Sequence, residues 1–135
     1  MQSIFVLNGS DPPSSLTFWG RSKDAFHVTV EQPGLKAVKR VSLYCHLPDR
    51  SFVDFFQKLA AFETPWTGEV VWGPLELGMN LTATCDGFGT VTLKIELKEE
   101  HANSWSMAGS MRLDFGHLPR YAEHADRFMN ARGTE

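Results

Sequence analysis

Apolar and polar positions alternate along several stretches of this chain, and the period changes twice. In "DAFHVTVEQ", Phe26, Val28 and Val30 alternate with His27, Thr29 and Glu31. A period of two puts one set against a core and the other in water, which is a half-buried strand. "SIFVLN" and "LTFWG" read as shorter strands on either side of the turn cluster "GSDPPSS". Pro33-Gly34 then predicts a hairpin turn. The following run, "LKAVKRVSLYCH", alternates imperfectly, with Val41, Leu43 and Cys45 in one phase and Val38 in the other. A bulge near Lys39 would reconcile the two.

The period changes to helical in "LPDRSFVDFFQKLAAFET". Phe52, Phe55, Phe56 and Leu59 fall on one face, with Ala60 and Phe62 on or near it. Asp49 and Ser51 are both suitable N-caps, and Pro65 stops the pattern. The predicted helix spans about residues 49–62, and its phenylalanine stripe reads as core. Strands return with "GEVVWG", "LELGMNLTAT", "VTLKIELK" and "WSMAGSMRLDF". Val91, Leu93, Ile95 and Leu97 oppose Thr92, Lys94, Glu96 and Lys98. Trp105, Met107, Gly109, Met111, Leu113 and Phe115 oppose Ser106, Ala108, Ser110, Arg112 and Asp114. A surviving polar phase means antiparallel strands buried on one face only. A second helix, about residues 117–131, carries Leu118, Tyr121, Ala122, Ala125, Phe128 and Met129 on its apolar face. Pro119 sits in its first turn, where proline is tolerated.

The order of strands, helix, strands and helix, without βαβ alternation, predicts an α+β fold. It is a twisted antiparallel sheet of about seven or eight strands with two amphipathic helices on one face. No sequence repeat or linker interrupts it, so 135 residues make a single domain, 1–135. A globular profile, with 42% hydrophobic and 21% charged residues, gives enough apolar surface to fold without a disulfide or metal.

The motif "DGFG", at residues 86–89, resembles a ligand loop only at first sight. A phosphate loop needs a helix after it, and here a strand follows. A dinucleotide fingerprint needs three glycines, and a calcium loop needs several spaced oxygens where only Asp86 is offered. Asp and Gly do suit a tight hairpin between strands at 79–85 and 91–97. Phe88 at the tip either folds back on the sheet or marks a contact surface.

The remaining chemistry is sparse. No two of His27, His46, His101, His117 and His124 have metal-ligand spacing on one element. Cys45 and His46 are neighbours on a strand, so their side chains point to opposite faces and cannot pair as nucleophile and base. Cys45 and Cys85 form no zinc or redox motif and read as small reduced core residues. No Gly-x-Ser-x-Gly elbow and no carboxylate dyad stand out. No cofactor and no metal are expected. The net charge of -3 argues against a nucleic-acid partner, and the local cluster Lys36, Lys39 and Arg40 is small. The N-terminal apolar run, Ile4 to Leu7, is too short for a signal peptide or membrane span, so a cytoplasmic location without membrane contact is expected. Trp19, Trp66 and Trp72 lie outside the clean core phases; tryptophan is enriched at binding hot spots and is also a common large core filler, so both readings stand for each.

The segments "PWTGEVVWGPLELGMNLTATCDGFGTVTLKIELKE" and "WSMAGSMRLDFGHLPRYAEHADRFM" resemble a family of small uncharacterised bacterial proteins, common in actinomycetes. The matching positions are Trp66, Gly68, Trp72, Leu81, Ala83, Asp86, Gly87, Gly89, Val91, Leu93 and Trp105. Phe88 departs from the His often found after the Asp-Gly pair. The element order is also similar to WapI-type immunity proteins, which neutralise toxins by binding them. These resemblances imply a fold and, for the WapI-type likeness, a toxin as partner. With the absence of a reactive constellation and the acidic net charge, they lead to the expectation of a small cytoplasmic binding protein without catalytic activity, whose partner is a toxin or a second copy of the chain. The binding residues expected on the sequence are Trp66, Trp72, Phe88, Asp86, Tyr44 and His46. Two alternatives stand beside this: a small-ligand or hydrolase-like pocket on the sheet using His27, His46 or Tyr44, and a structural homodimer pairing through a sheet edge.

Overall fold

The alternation at residues 25–32 sets the inner face of a first sheet, and a computed structural model of the chain shows what that face meets. It describes residues 4–10, 14–22, 25–42, 51–73, 78–99 and 105–130. Strands β1 (Phe5–Asn8), β2 (Ser15–Trp19), β3 (Ala25–Gln32) and β4 (Leu35–Ser42) form an antiparallel meander in sequence order. Helix α1 (Ser51–Ala60) follows. The pattern then recurs: β5 (Val70–Trp72), β6 (Met79–Cys85), β7 (Thr90–Lys98) and β8 (Ser106–Asp114) form a second four-stranded meander, and α2 (Leu118–Asn130) ends it. The α+β class, the antiparallel pairing and the two packed helices are as expected. The eight strands divide into two sheets of four, and the four-strands-then-helix order occurs twice without a matching repeat in sequence.

The cores of the two halves fuse through aromatic rings. Phe5, Leu7, Leu16, Phe18, Phe26 and Val28 line the inner face of the first sheet and are fully buried. Leu81, Ala83, Val91, Leu93 and Ile95 do the same for the second. Phe52 of α1 sits between them, with ring centroids 4.9 Å from Phe18, 5.2 Å from Phe26, 5.2 Å from Phe56 and 5.3 Å from Trp72. Phe128 of α2 closes the cluster, 5.9 Å from Phe26 and 6.5 Å from Phe52. Most of these pairs are edge-to-face or tilted, the arrangement that the aromatic quadrupole favours.

The bulge expected near Lys39 does not form. β3 and β4 pair without interruption from Ala25↔Ser42 to Gln32↔Leu35. Lys39 therefore takes an inward position opposite Val28, in phase with Val41, while Val38 is 47% exposed. A lysine can occupy that slot because its stem packs as hydrocarbon and its ammonium leaves toward the second sheet. Lys39 Nζ reaches Glu99 Oε1 at 3.3 Å. It passes Gly78, which has φ +96°, and a Cβ there would collide with Lys39 Cε. A second joint lies along the outer edge of β8. Ser10 N–H donates to Arg112 O at 2.8 Å, and Gln32 Nε2 donates to Ser110 O at 2.6 Å. Carbonyls that an edge strand would leave open are thus bonded by the first sheet.

Phe52→Ala removes the ring common to both halves and is expected to cost about 3–5 kcal/mol in chemical denaturation, while Phe52→Leu costs clearly less. For the Lys39–Glu99 pair, Lys39→Met is expected to be neutral or mildly stabilising. Glu99→Ala leaves a buried ammonium without this partner and is expected to cost about 1–3 kcal/mol by the same measurement.

Candidate functional site

Asp86, Gly87, Phe88 and Gly89 connect β6 to β7, and the local chemistry explains the shape of the turn. Asp86 N–H donates to Thr90 O at 3.1 Å, closing the hairpin. The Asp86 carboxylate turns back on the loop and accepts from Phe88 N–H at 2.8 Å and Thr90 N–H at 3.0 Å through the same oxygen. Gly89 has φ +90°, a conformation that a side chain would strain. Its carbonyl accepts from Phe115 N–H at 3.1 Å, which ties the tip to the end of β8. The Thr90 amide, and after it the Phe88 amide, hold the Asp86 carboxyl below the ordinary carboxylate range.

This framework leaves Phe88 with no fold to lean on. Its side chain is 96% exposed, against 61% for Ile4 and 55% for Val71, the next most exposed large apolar residues among those described. Of the two outcomes open for an aromatic at this tip, the ring stands in water and does not fold back.

Trp66 and Trp72 do not join Phe88 at the exposed tip. Trp66 and Trp72 are buried at 8% and 5% exposure. Trp72 packs on Phe52 and donates its indole N–H to Ser51 Oγ at 3.0 Å. Trp66 stacks on Phe62 at 4.6 Å and donates to Gly68 O at 3.2 Å. Each indole is a core filler whose N–H is satisfied inside the protein, which puts both rings out of a partner's reach. Trp66 lies in a loop and Trp72 in a strand of three residues, so alternation could not reveal the phase of either. Tyr44 and His46 lie outside the described residues, as does Cys45. Cys85 is half-buried at the end of β6, and burial pushes its thiol up. On the outer face of the first sheet, His27 stacks on Trp19 at 4.4 Å, and Trp19 Nε1 donates to Thr29 Oγ1 at 2.9 Å. Among the described residues no group of three or more His, Cys, Asp or Glu converges on one point. No helix among them is long and apolar enough to cross a membrane.

A feature that the sequence pattern placed only on wet strand faces is a groove on the solvent side of the second sheet. A concavity of about 420 Å³ is lined by Glu69, Thr82, Thr84, Thr92, Lys94 and Ser110, among others. A second, of about 490 Å³, shares Thr92 and Ser110 with it and continues over Arg112 to Gln32 and Pro33 of the first sheet. Alternation identified these side chains as outward. Only the cross-strand register could bring the hydroxyls together.

The Asp86 clamp has a pH signature. A carboxyl whose folded pKa is depressed contributes stability that is fully present above its unfolded value and is lost as pH falls through the folded value. The Tm gap between wild type and Asp86→Ala is therefore expected to be constant from about pH 5 to 8 and to narrow below about pH 4. A gap that stays unchanged into strong acid would remove the ionised carboxylate from the turn's stability.

Comparison with known proteins places the fold and the family. No curated protein matches the chain. A solved structure, that of the plant transcriptional regulator PBF-2, is similar over 97% of this chain and 82% of that one, with a TM-score of 0.50 and 11% identity. At that identity the likeness is one of fold. A family model matches residues 8–132, from the end of β1 through α2 and so across both halves. The chain belongs to that family, the family of unknown function DUF6228.

Proposed function

We propose that the chain is a small cytoplasmic binding protein that works without catalysis, and that the β6–β7 hairpin tip is its anchor in a protein partner. One observation carries this reading: Phe88 is 96% exposed on a turn whose backbone is held by Asp86 and Gly89. A phenyl ring in water gains free energy when it enters an apolar pocket, about 1.5–3 kcal/mol for full burial. A ring carried on a rigid turn loses little backbone entropy on docking, so more of that gain appears as affinity. Asp86 serves this site as the positioning residue, and Trp66 packs near Phe115, whose N–H donates to the Gly89 carbonyl of the turn. An immunity-type role, neutralising a toxin by binding it, is the specific form that the resemblance to WapI-type proteins suggests. The net charge of -3 favours a basic partner for such a role. Pairing with a second copy of the chain is the other occupant of the same surface.

Wild-type protein and Phe88→Ser are to be used as tagged baits in a lysate of the source organism, with light scattering on each to read self-association. The expected result is one stoichiometric protein, or a dimer, that Phe88→Ser weakens by roughly tenfold or more while its Tm stays within about 1 °C of wild type. Capture that is indifferent to Phe88→Ser, or a monomer that retains nothing, would overturn the assignment.

A further inference from the structure

On the solvent face of the second sheet, two adjacent rungs of the ladder repeat one composition. Thr84, Thr92 and Arg112 stand in register on β6, β7 and β8, and Thr82, Lys94 and Ser110 stand in register beside them. Each rung sets two hydroxyls against one cation. Side chains directly opposite on neighbouring strands lie about 4.5–5.5 Å apart at Cβ, close enough for one ligand group to touch several. These rungs form the floor of the groove, and Glu69 stands at its β5 side. Among the described residues, the Thr84, Thr92 and Ser110 hydroxyls and the Lys94 ammonium have no hydrogen-bond or ion-pair partner in the protein. Thr82 already donates to Asn80 Oδ1 at 3.1 Å and is the rigid member of the set.

We propose that this groove binds a phosphorylated polyol, with its phosphate on Lys94 and the surrounding hydroxyls and its polyol end toward Glu69. This goes beyond the protein-binding role of Phe88 and rests on different residues. A phosphate dianion offers only acceptors, and the free groups here can all donate. Lysine binds phosphate as a point charge, and hydroxyls on both sides of it supply directional bonds. The Glu69 carboxylate accepts only, so it suits the hydroxyl donors of a polyol and repels a second anionic group. Charge on this face also sets the size of the ligand. Glu96 projects from the same side of β7, one outward position beyond Lys94, in register with Asn80 and Ala108. The positive region is therefore local, which fits one phosphate and disfavours a polyanionic chain. A groove of about 420 Å³ lies within the range of about 300–1,000 Å³ usual for small-molecule sites.

The test is a titration of the full chain, followed by amide NMR shifts, with glycerol 3-phosphate, inorganic phosphate and glycerol as probes. Glycerol 3-phosphate is expected to give saturable shifts at Thr84, Thr92, Lys94 and Ser110 with a Kd of about 1 mM or below. Inorganic phosphate should shift the same residues more weakly, and glycerol should shift none. Lys94→Gln and the isosteric Thr92→Val should each weaken glycerol 3-phosphate roughly tenfold. Lys98→Gln, on the same face of the same strand but outside the groove, should leave it unchanged. If Lys94→Gln does not fold, Thr92→Val alone decides. No saturation by about 10 mM, shifts spread evenly over lysines and arginines, or equal weakening by Lys98→Gln would each overturn the site. Equal affinity for inorganic phosphate and glycerol 3-phosphate would overturn the placement of a polyol at Glu69.

Discussion

The Phe52 ring makes edge-to-face or tilted contacts with Phe18 and Phe26 from the first sheet, Trp72 from the second, Phe56 from its own helix and Phe128 from the last one. The rest of the structure depends on that convergence. A four-stranded meander with one helix has a single apolar face and cannot cover it alone. Two such units, each with its helix, cover each other, and the shared aromatic cluster makes them one core. Around it, polar joints among the described residues include Lys39 with Glu99, and the bonds that the Ser10 amide and the Gln32 side chain give to carbonyls on the edge of β8.

This division of labour frees the second sheet's outer surface. Its inner face is fixed by core packing and its β8 edge by the first sheet. The β6–β7 tip and the solvent face of β6, β7 and β8 carry side chains that the fold does not use. Phe88 is the clearest case, since removing its ring would take away no packing. Asp86 and Gly89 are different: they shape the turn, and in the proposed function their part is to position Phe88.

Much of the fold was legible in the sequence because alternation is a direct readout of one-sided burial. β3, β7 and β8 face as their patterns say, and the two helices fall within two residues of the expected ends. What failed had physical reasons. Lys39 broke the pattern of β4 because a long stem can be buried while its charge exits sideways, so an inward lysine imitates a bulge. The split into two sheets was invisible because no local signal marks that β4 and β5 do not pair, and the contacts that join the sheets, such as Lys39 with Glu99, are distant in sequence. Trp66 and Trp72 were read as surface candidates because Trp66 lies in a loop, where no period applies, and Trp72 ends β5, whose three residues are too few to show a phase. Phe88 was legible as an oddity, and its exposure shows that the ring does not fold back on the sheet. The groove needed register, which no single strand contains.

The central claim is that recognition belongs to the β6–β7 hairpin while the first half and both helices act as scaffold. Hydrogen–deuterium exchange on the chain, free and saturated with its captured partner, tests this most directly. The account predicts new protection confined to the hairpin around residues 85–91, with the first sheet and the helices exchanging as in the free protein. Protection centred on the outer face of β1 to β4, with the hairpin unchanged, would contradict it.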